Sequence, residues 1–160
     1  MKHLILLLLF VASISYSQTP SSRRVTVFYF GASDCGYCLH KKHIANIDEI
    51  RRELAAKHAP VRFKFVMVVM DDSLEEGYQF AKKYLRWDEI AIGSRYNNEL
   101  MLEHLNRTEL PGVPHIMLYL DSLQLDSSNI PSIKNRKLLV DLVGETNIDK
   151  WVESGFPIRW

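Results

Sequence analysis

The chain has 160 residues, 47% hydrophobic and 24% charged, with a formal net charge of +1. That length and composition suit one globular domain with a core of its own. The balanced charge excludes the basic surface of a nucleic-acid binder, and 6 prolines with 7 glycines exclude a low-complexity protein.

Residues 1–17 read as a secretory signal peptide. Lys2 gives a short positive start, Leu4 to Ala12 form an apolar run, and Ser15 and Ser17 are the small residues a signal peptidase reads. Cleavage is expected between Ser17 and Gln18, giving a periplasmic or secreted protein. The run is shorter than the roughly 20 residues that span a bilayer, so no stable membrane span is expected, with an uncleaved anchor as the alternative. No cysteine near the cleavage point offers a lipid attachment site. Removing the segment takes away one lysine and no acid, so the remaining charges balance. The end, Ile158-Arg159-Trp160, lacks an ER-retention signal, which favours a bacterial periplasm or secretion.

Residues 18–24 are polar and read as a linker, and residues 25–160 as one domain. Val25 to Phe30 is a buried strand. A first helix is expected from Cys35 to Lys57, with Ile44, Ile47, Ile50 and Leu54 on its apolar face, ended by Ala59-Pro60. Val61 to Met70 finishes as a continuous apolar run, as a strand covered on both faces requires. Ser73 with Glu76 forms a capping box for a second helix, with Leu74, Tyr78, Ala81 and Leu85 as its buried stripe. Ile90 to Ile92 is a short strand or packed loop, and a weaker helix covers 97–105. After the turn Pro111-Gly112-Val113-Pro114 comes the strand His115 to Leu120. Residues 121–136 read as a loop or an elaborated hairpin, and Leu138 to Val143 as the last strand, stopped by Gly144. Asn147 is expected to cap a final helix that buries Ile148, Trp151 and Val152. The order implies a right-handed βαβ crossover followed by a hairpin and a helix.

The only two cysteines form one motif, Cys35-Gly36-Tyr37-Cys38, where a strand hands over to a helix. A cysteine at a helix N-terminus meets unpaired N–H groups and the positive end of the helix dipole, both of which favour a thiolate. A thiolate with a second thiol three residues on can attack a disulfide and then resolve the mixed disulfide. A structural scaffold would use several spaced pairs instead. A zinc site would need His40 and His43 crowded onto the same short stretch, which fits tetrahedral geometry poorly. An inert pair is the remaining alternative. Haem attachment requires His after the second cysteine, and Leu39 stands there.

With these residues in place the chain resembles the thioredoxin superfamily. The strand, the C-x-x-C motif, the βαβ pattern, Gly112-Val113-Pro114 before the third core strand and Gly144 after the last carry the resemblance, over about Val25 to Gly155. It implies an α/β/α sandwich around a central mixed sheet, with an insertion before the cis-proline strand. It also implies that Pro114 is cis, faces the cysteines and, with Val113, shapes a substrate groove. The inserted segment resembles the TlpA-like and peroxiredoxin-like branch, and TlpA-like members are exported thiol–disulfide oxidoreductases. Cys35 is then the attacking thiol and Cys38 the resolving one, with Gly36 and Tyr37 on the substrate side. Protein thiols or disulfides are the implied substrates, an upstream redox partner supplies electrons, no metal or organic cofactor is needed, and a monomer is expected.

Three positions depart from the family. Tyr29 stands where thioredoxins carry a buried Asp, Asp34 where they carry Trp, and the central dipeptide is Gly-Tyr. A carboxylate beside Cys35 opposes thiolate formation unless it points into water, so a reductant or mid-range exchanger is expected rather than a strong oxidant. The alternative is a non-catalytic binding or chaperone module on the same fold. A peroxidase fits less well: Ser33 is near, but no local arginine follows to polarise a peroxide. His115 follows Pro114, but strand alternation directs it away from the cysteines. Lys41 and Lys42 read as solvated.

Overall fold

The computed structural model describes residues 23–84 and 86–160. The signal segment, its cleavage point, residues 18–22 of the linker and Leu85 lie outside the described residues. Strand β1 (Arg23–Gly31) starts inside the stretch read as linker, since Arg23 and Arg24 already pair with neighbouring strands.

β1 is the centre of the sheet. On one side it runs parallel to β2 (Arg62–Val69), from Arg24 opposite Arg62 to Gly31 opposite Val69. On the other it runs antiparallel to β4 (His115–Leu125), from Arg23 opposite Ser122 to Phe30 opposite His115. β3 (Glu89–Ile92) adds to β2 in parallel, and β5 (Pro131–Val143) adds to β4 antiparallel. The result is a mixed five-stranded sheet in the order β3-β2-β1-β4-β5. Covered on both faces, β1 and the end of β2 must be apolar at successive positions, hence their unbroken apolar runs.

The two faces of β1 have different jobs. Val27 and Tyr29 meet Ile47 and Ile50 of helix α1 (Lys41–Lys57) and Ile116 of β4. Thr26, Phe28 and Phe30 face the other way, against Asp121, His104 and His115. α1 is tied to the last helix, α4 (Glu145–Glu153), through Asp149. Its carboxylate accepts from Lys42 at 2.8 Å and Asn46 at 2.6 Å, and these bonds hold it below the usual carboxylate range although burial opposes them.

Three elements differ from the sequence reading, and a fourth resolves between two alternatives. The expected continuous helix from Cys35 is broken. Tyr37–Leu39 form a single 3-10 turn, His40 is extended at φ −67° and ψ 131°, and α1 begins only at Lys41. Helix α2 (Leu74–Ala81) has the predicted Ser73 cap on Glu76, but Leu74 and Tyr78 lie exposed, and Gly77, Phe80 and Ala81 face inward. The cause is close approach to β3: a Cβ on Gly77 would stand 2.4 Å from the Ile92 side chain, so the glycine face must be the inner one.

Residues 121–136 form a hairpin, the second of the two forms expected for them. β4 continues to Leu125, and β5 begins at Pro131 after a turn in which Asp126 accepts the N–H groups of Ser128 and Ile130 at 2.8 and 2.9 Å. β5 is exposed along much of its length, so its sequence stays polar while its backbone pairs. Asn147 does not cap α4. Gly144, at φ +82°, is the cap residue, and Asn147 sits in the first turn donating to the Val143 carbonyl at 2.9 Å. A short helix α3 (Glu99–Glu103) and a 3-10 turn at Leu105–Arg107 complete the segment between β3 and β4.

Candidate active site

β1 delivers the chain to one end of the sheet. There Asp71, just past β2, accepts the Ser33 backbone N–H at 3.1 and 3.2 Å and also the Ser33 hydroxyl, which fixes the loop carrying the cysteines. The Cys35 N–H closes a turn onto the Ala32 carbonyl at 3.2 Å. Cys35 and Cys38 are joined in a disulfide with their Cα atoms 5.3 Å apart. Cys35 keeps 8% of its surface exposed and Cys38 none, while Gly36 and Tyr37 between them are exposed.

Because the helix is interrupted at His40, Cys35 does not sit at the N-terminus of a long helix. The dipole of α1 starts at Lys41, and the N–H group that reaches the Cys35 sulfur is that of Cys38, at 3.2 Å. Local hydrogen bonding, more than a macrodipole, is what the fold offers a Cys35 thiolate.

Beneath the disulfide lies a buried chain of hydroxyls. Tyr84 donates to the Cys38 carbonyl, Tyr29 lies 2.8 Å from the Tyr84 hydroxyl, and His43 Nε2 lies 3.1 Å from the Tyr29 hydroxyl. The directions follow from one another. A carbonyl only accepts, so Tyr84 spends its hydrogen there and must accept from Tyr29. Tyr29 in turn accepts from His43, whose proton is therefore on Nε2. His43 Nδ1 is left as a buried lone pair without a partner among the described residues. Burial pushes His43 down to about 4, and it pushes both tyrosines above their usual value. Tyr29, at the position six residues before Cys35, thus fills the space with a neutral hydrogen-bonding group instead of a carboxylate.

Asp34 points into water. Its side chain is 70% exposed and accepts from Arg95 at 3.0 Å. Arg95 comes from the segment between β3 and α3, so the insertion places a positive charge against the carboxylate beside Cys35.

Pro114 lies at the same end of the sheet, buried and preceded by a cis peptide, with Val113 half-buried beside it. The Gly144 N–H donates to its carbonyl at 2.8 Å, and the next residue, His115, pairs with Phe30 of β1. The His115 side chain turns to the face opposite Tyr29. Its Nε2 meets the Asp141 carboxylate and its Nδ1 is 3.3 Å from the Gly112 carbonyl, so it ties the Pro114 turn to β5. This ring opens onto a 620 Å³ cavity over β4 and β5, lined also by His104, Met117, Tyr119 and Arg136. At its far end the buried Asp121 accepts from Thr26 and Arg136 Nε, each at 2.6 Å. Burial alone would raise Asp121, but these bonds hold its carboxyl below the usual range.

The structure therefore gathers Asp34, Cys35, Gly36, Tyr37 and Cys38 on one loop, with Val113 and Pro114 on the turn at the same end of the sheet. His40 accompanies Glu145 at 3.1 Å, and Lys42 pairs with Asp149 and Glu153, so neither belongs to the cysteine pair. Sequence reasoning named His43 only as a poorly placed zinc ligand and missed Tyr84, Asp71 and Arg95. For His43 a signal existed, since it shares the buried helical stripe of Ile47, Ile50 and Leu54.

No protein-family model matches the chain, and no curated relative does. Solved structures do. A Chlorobium tepidum protein assigned as the thiol:disulfide interchange protein DsbE superposes with a TM-score of 0.50 at 15% identity, covering 86% of this chain and 82% of its own. The thioredoxin of Wuchereria bancrofti superposes with a TM-score of 0.50 at 17% identity, covering 84% and 83%. The chain has the thioredoxin fold. On that fold the Cys35–Cys38 disulfide occupies the loop after the central strand, and the Val113–Pro114 turn precedes the antiparallel hairpin. None of the helices among the described residues is long and apolar enough to cross a membrane.

Proposed function

We propose that this protein is an exported thiol–disulfide oxidoreductase of the TlpA-like kind, acting on protein thiols and disulfides. The observation that carries the reading is the bonded Cys35–Cys38 pair, with Cys35 8% exposed and Cys38 fully buried, on the loop that leaves the central strand of a thioredoxin fold.

In the reducing direction the Cys35 thiolate attacks one sulfur of a substrate disulfide and expels the other as a thiolate. Cys38, deprotonated, then attacks the Cys35 sulfur and releases the second substrate thiolate. Two electrons pass to the substrate and the protein is left with its Cys35–Cys38 disulfide. An upstream dithiol reverses that change. Gly36 and Tyr37 are exposed beside the sulfurs and Val113 borders the Pro114 turn, so these residues contact the incoming segment. Asp34, shared with Arg95, modulates Cys35 weakly. The interrupted helix gives only moderate thiolate stabilisation, which supports a reductant or mid-range exchanger over a strong oxidant.

The test is reduction of insulin disulfides by the purified protein with glutathione as electron donor, followed by a reduction potential measured against glutathione. Turnover that disappears in Cys35→Ala supports the reading. Turnover no greater than that of Cys35→Ala overturns it.

A further inference from the structure

We propose that the cleft between α1 and the connection from α2 to β3 is a binding site for a phosphate-class oxyanion. The cleft measures 420 Å³ and is lined by Ala45, Asp48, Arg51, Arg52 and Arg86. Three of its five lining residues are thus arginines. Among the described residues none of the three makes an ion pair. Arginines left unpaired around one concavity are unusual, because mutual repulsion disfavours the arrangement unless an anion or water intervenes.

Arg51 adds an independent observation. Its guanidinium carbon lies 5.0 Å from the ring centroids of both Phe65 and Trp87, so the group is held by two aromatic rings. Its Nη1 is buried and has no acceptor among the described residues, and neither does the buried Nε1 of Trp87. These two buried donors are shut off from the cleft; Arg51 contributes as a lining guanidinium fixed in place by the two rings, and such a group favours an acceptor that carries charge. Nearby carboxylates do not fill that role. Asp88 accepts the Phe65 backbone N–H at 2.7 Å, and Asp48 lines the cleft without pairing with Arg51, Arg52 or Arg86. With both counted, the three arginines keep a positive excess.

The geometry favours a tetrahedral dianion over a flat carboxylate. Arg51 and Arg52 come from successive positions of α1 and Arg86 from the facing connection, so donors surround the cleft from two elements. One carboxylate fills one guanidinium fork, whereas a phosphate offers oxygens in several directions. Ala45, with its small side chain, leaves room on the helix side.

The experiment titrates the purified protein with inorganic phosphate at constant ionic strength and follows Trp87 fluorescence and calorimetric heat. A saturable response that chloride does not reproduce is expected. Arg52→Gln and Arg86→Gln should each weaken it at least tenfold; both side chains are exposed, so folding is kept, and insulin reduction by these variants serves as the fold control. Trp87→Phe should remove the fluorescence change. Phenyl phosphate separates the sources: binding equal to that of phosphate upholds the site and points to a phosphate borne by a larger molecule, and binding of phosphate alone upholds it for the free ion. A response matched by chloride, or unchanged in Arg52→Gln together with Arg86→Gln, overturns the proposal whatever the outcome of the redox assays.

Discussion

The Tyr84 hydroxyl donates to the backbone carbonyl of Cys38, across 46 residues of sequence. The buried cysteine is thereby anchored from outside its own loop. Removing the hydroxyl in Tyr84→Phe leaves that carbonyl unpaired and takes from Tyr29 its acceptor. A buried group left unsatisfied costs roughly 1–3 kcal/mol. Urea unfolding of the oxidised protein should show a loss of that size, and an unchanged midpoint would mean that the bond contributes nothing.

Acid should destabilise the protein through His43. Its folded value is about 4 against 6.5 for the ordinary imidazole. Above pH 6.5 it is neutral in both states and favours neither. As pH falls below 6.5 the unfolded chain takes up a proton that the folded one refuses, so stability declines until about pH 4 and then levels. At about 1.4 kcal/mol per pKa unit the full loss is on the order of 3 kcal/mol. Burial and Arg136 lower His104 in the same sense. His43→Gln can still donate to Tyr29 and should flatten the pH 4 to 6.5 slope of urea stability. A slope equal to wild type would exclude His43 as its source.

The two cysteines should differ in reactivity. In the reduced protein Cys35 should alkylate well before Cys38, since Cys38 is fully buried. Cys38→Ala should accumulate mixed disulfides with substrates, and Cys35→Ala should not. Mass spectrometry of the trapped adducts checks this, and equal trapping by both variants would reverse or cancel the assigned roles.

Asp34 and Arg95 should move Cys35 in opposite directions. Charges this exposed interact through water at roughly 1 kcal/mol, or less than one pKa unit. Asp34→Asn should lower the Cys35 pKa slightly and make the protein more oxidising. Arg95→Gln, which leaves the carboxylate uncompensated, should raise it. Thiolate absorbance against pH reads both, and a lack of response to either would show that local N–H groups control the site.

The parts legible in the sequence are those in which one residue type has one use. The apolar runs of β1 and β2 allow only covered strands, Ser73 with Glu76 marks a helix start, and two cysteines three apart define the site. The parts that were not legible depend on tertiary apposition. Leu74 and Tyr78 look like a buried stripe until Gly77 is seen to be the only residue that fits against Ile92. Residues 121–136 allow either a loop or a hairpin, because an exposed strand has no apolar alternation to display. No spacing rule reports Arg95 against Asp34, since 61 residues separate them.

The sheet ends in two strands that discourage growth. β3, on one edge, is only four residues long. β5, on the other, opens with Pro131 and carries Lys134 and Lys137. A second copy laid antiparallel along β5 would bring these cations against their own counterparts, where like charges oppose pairing. Among the described residues the longer edge of the sheet therefore repels itself, and concentrated protein should resist the strand-to-strand association that leads from open sheets to fibrils.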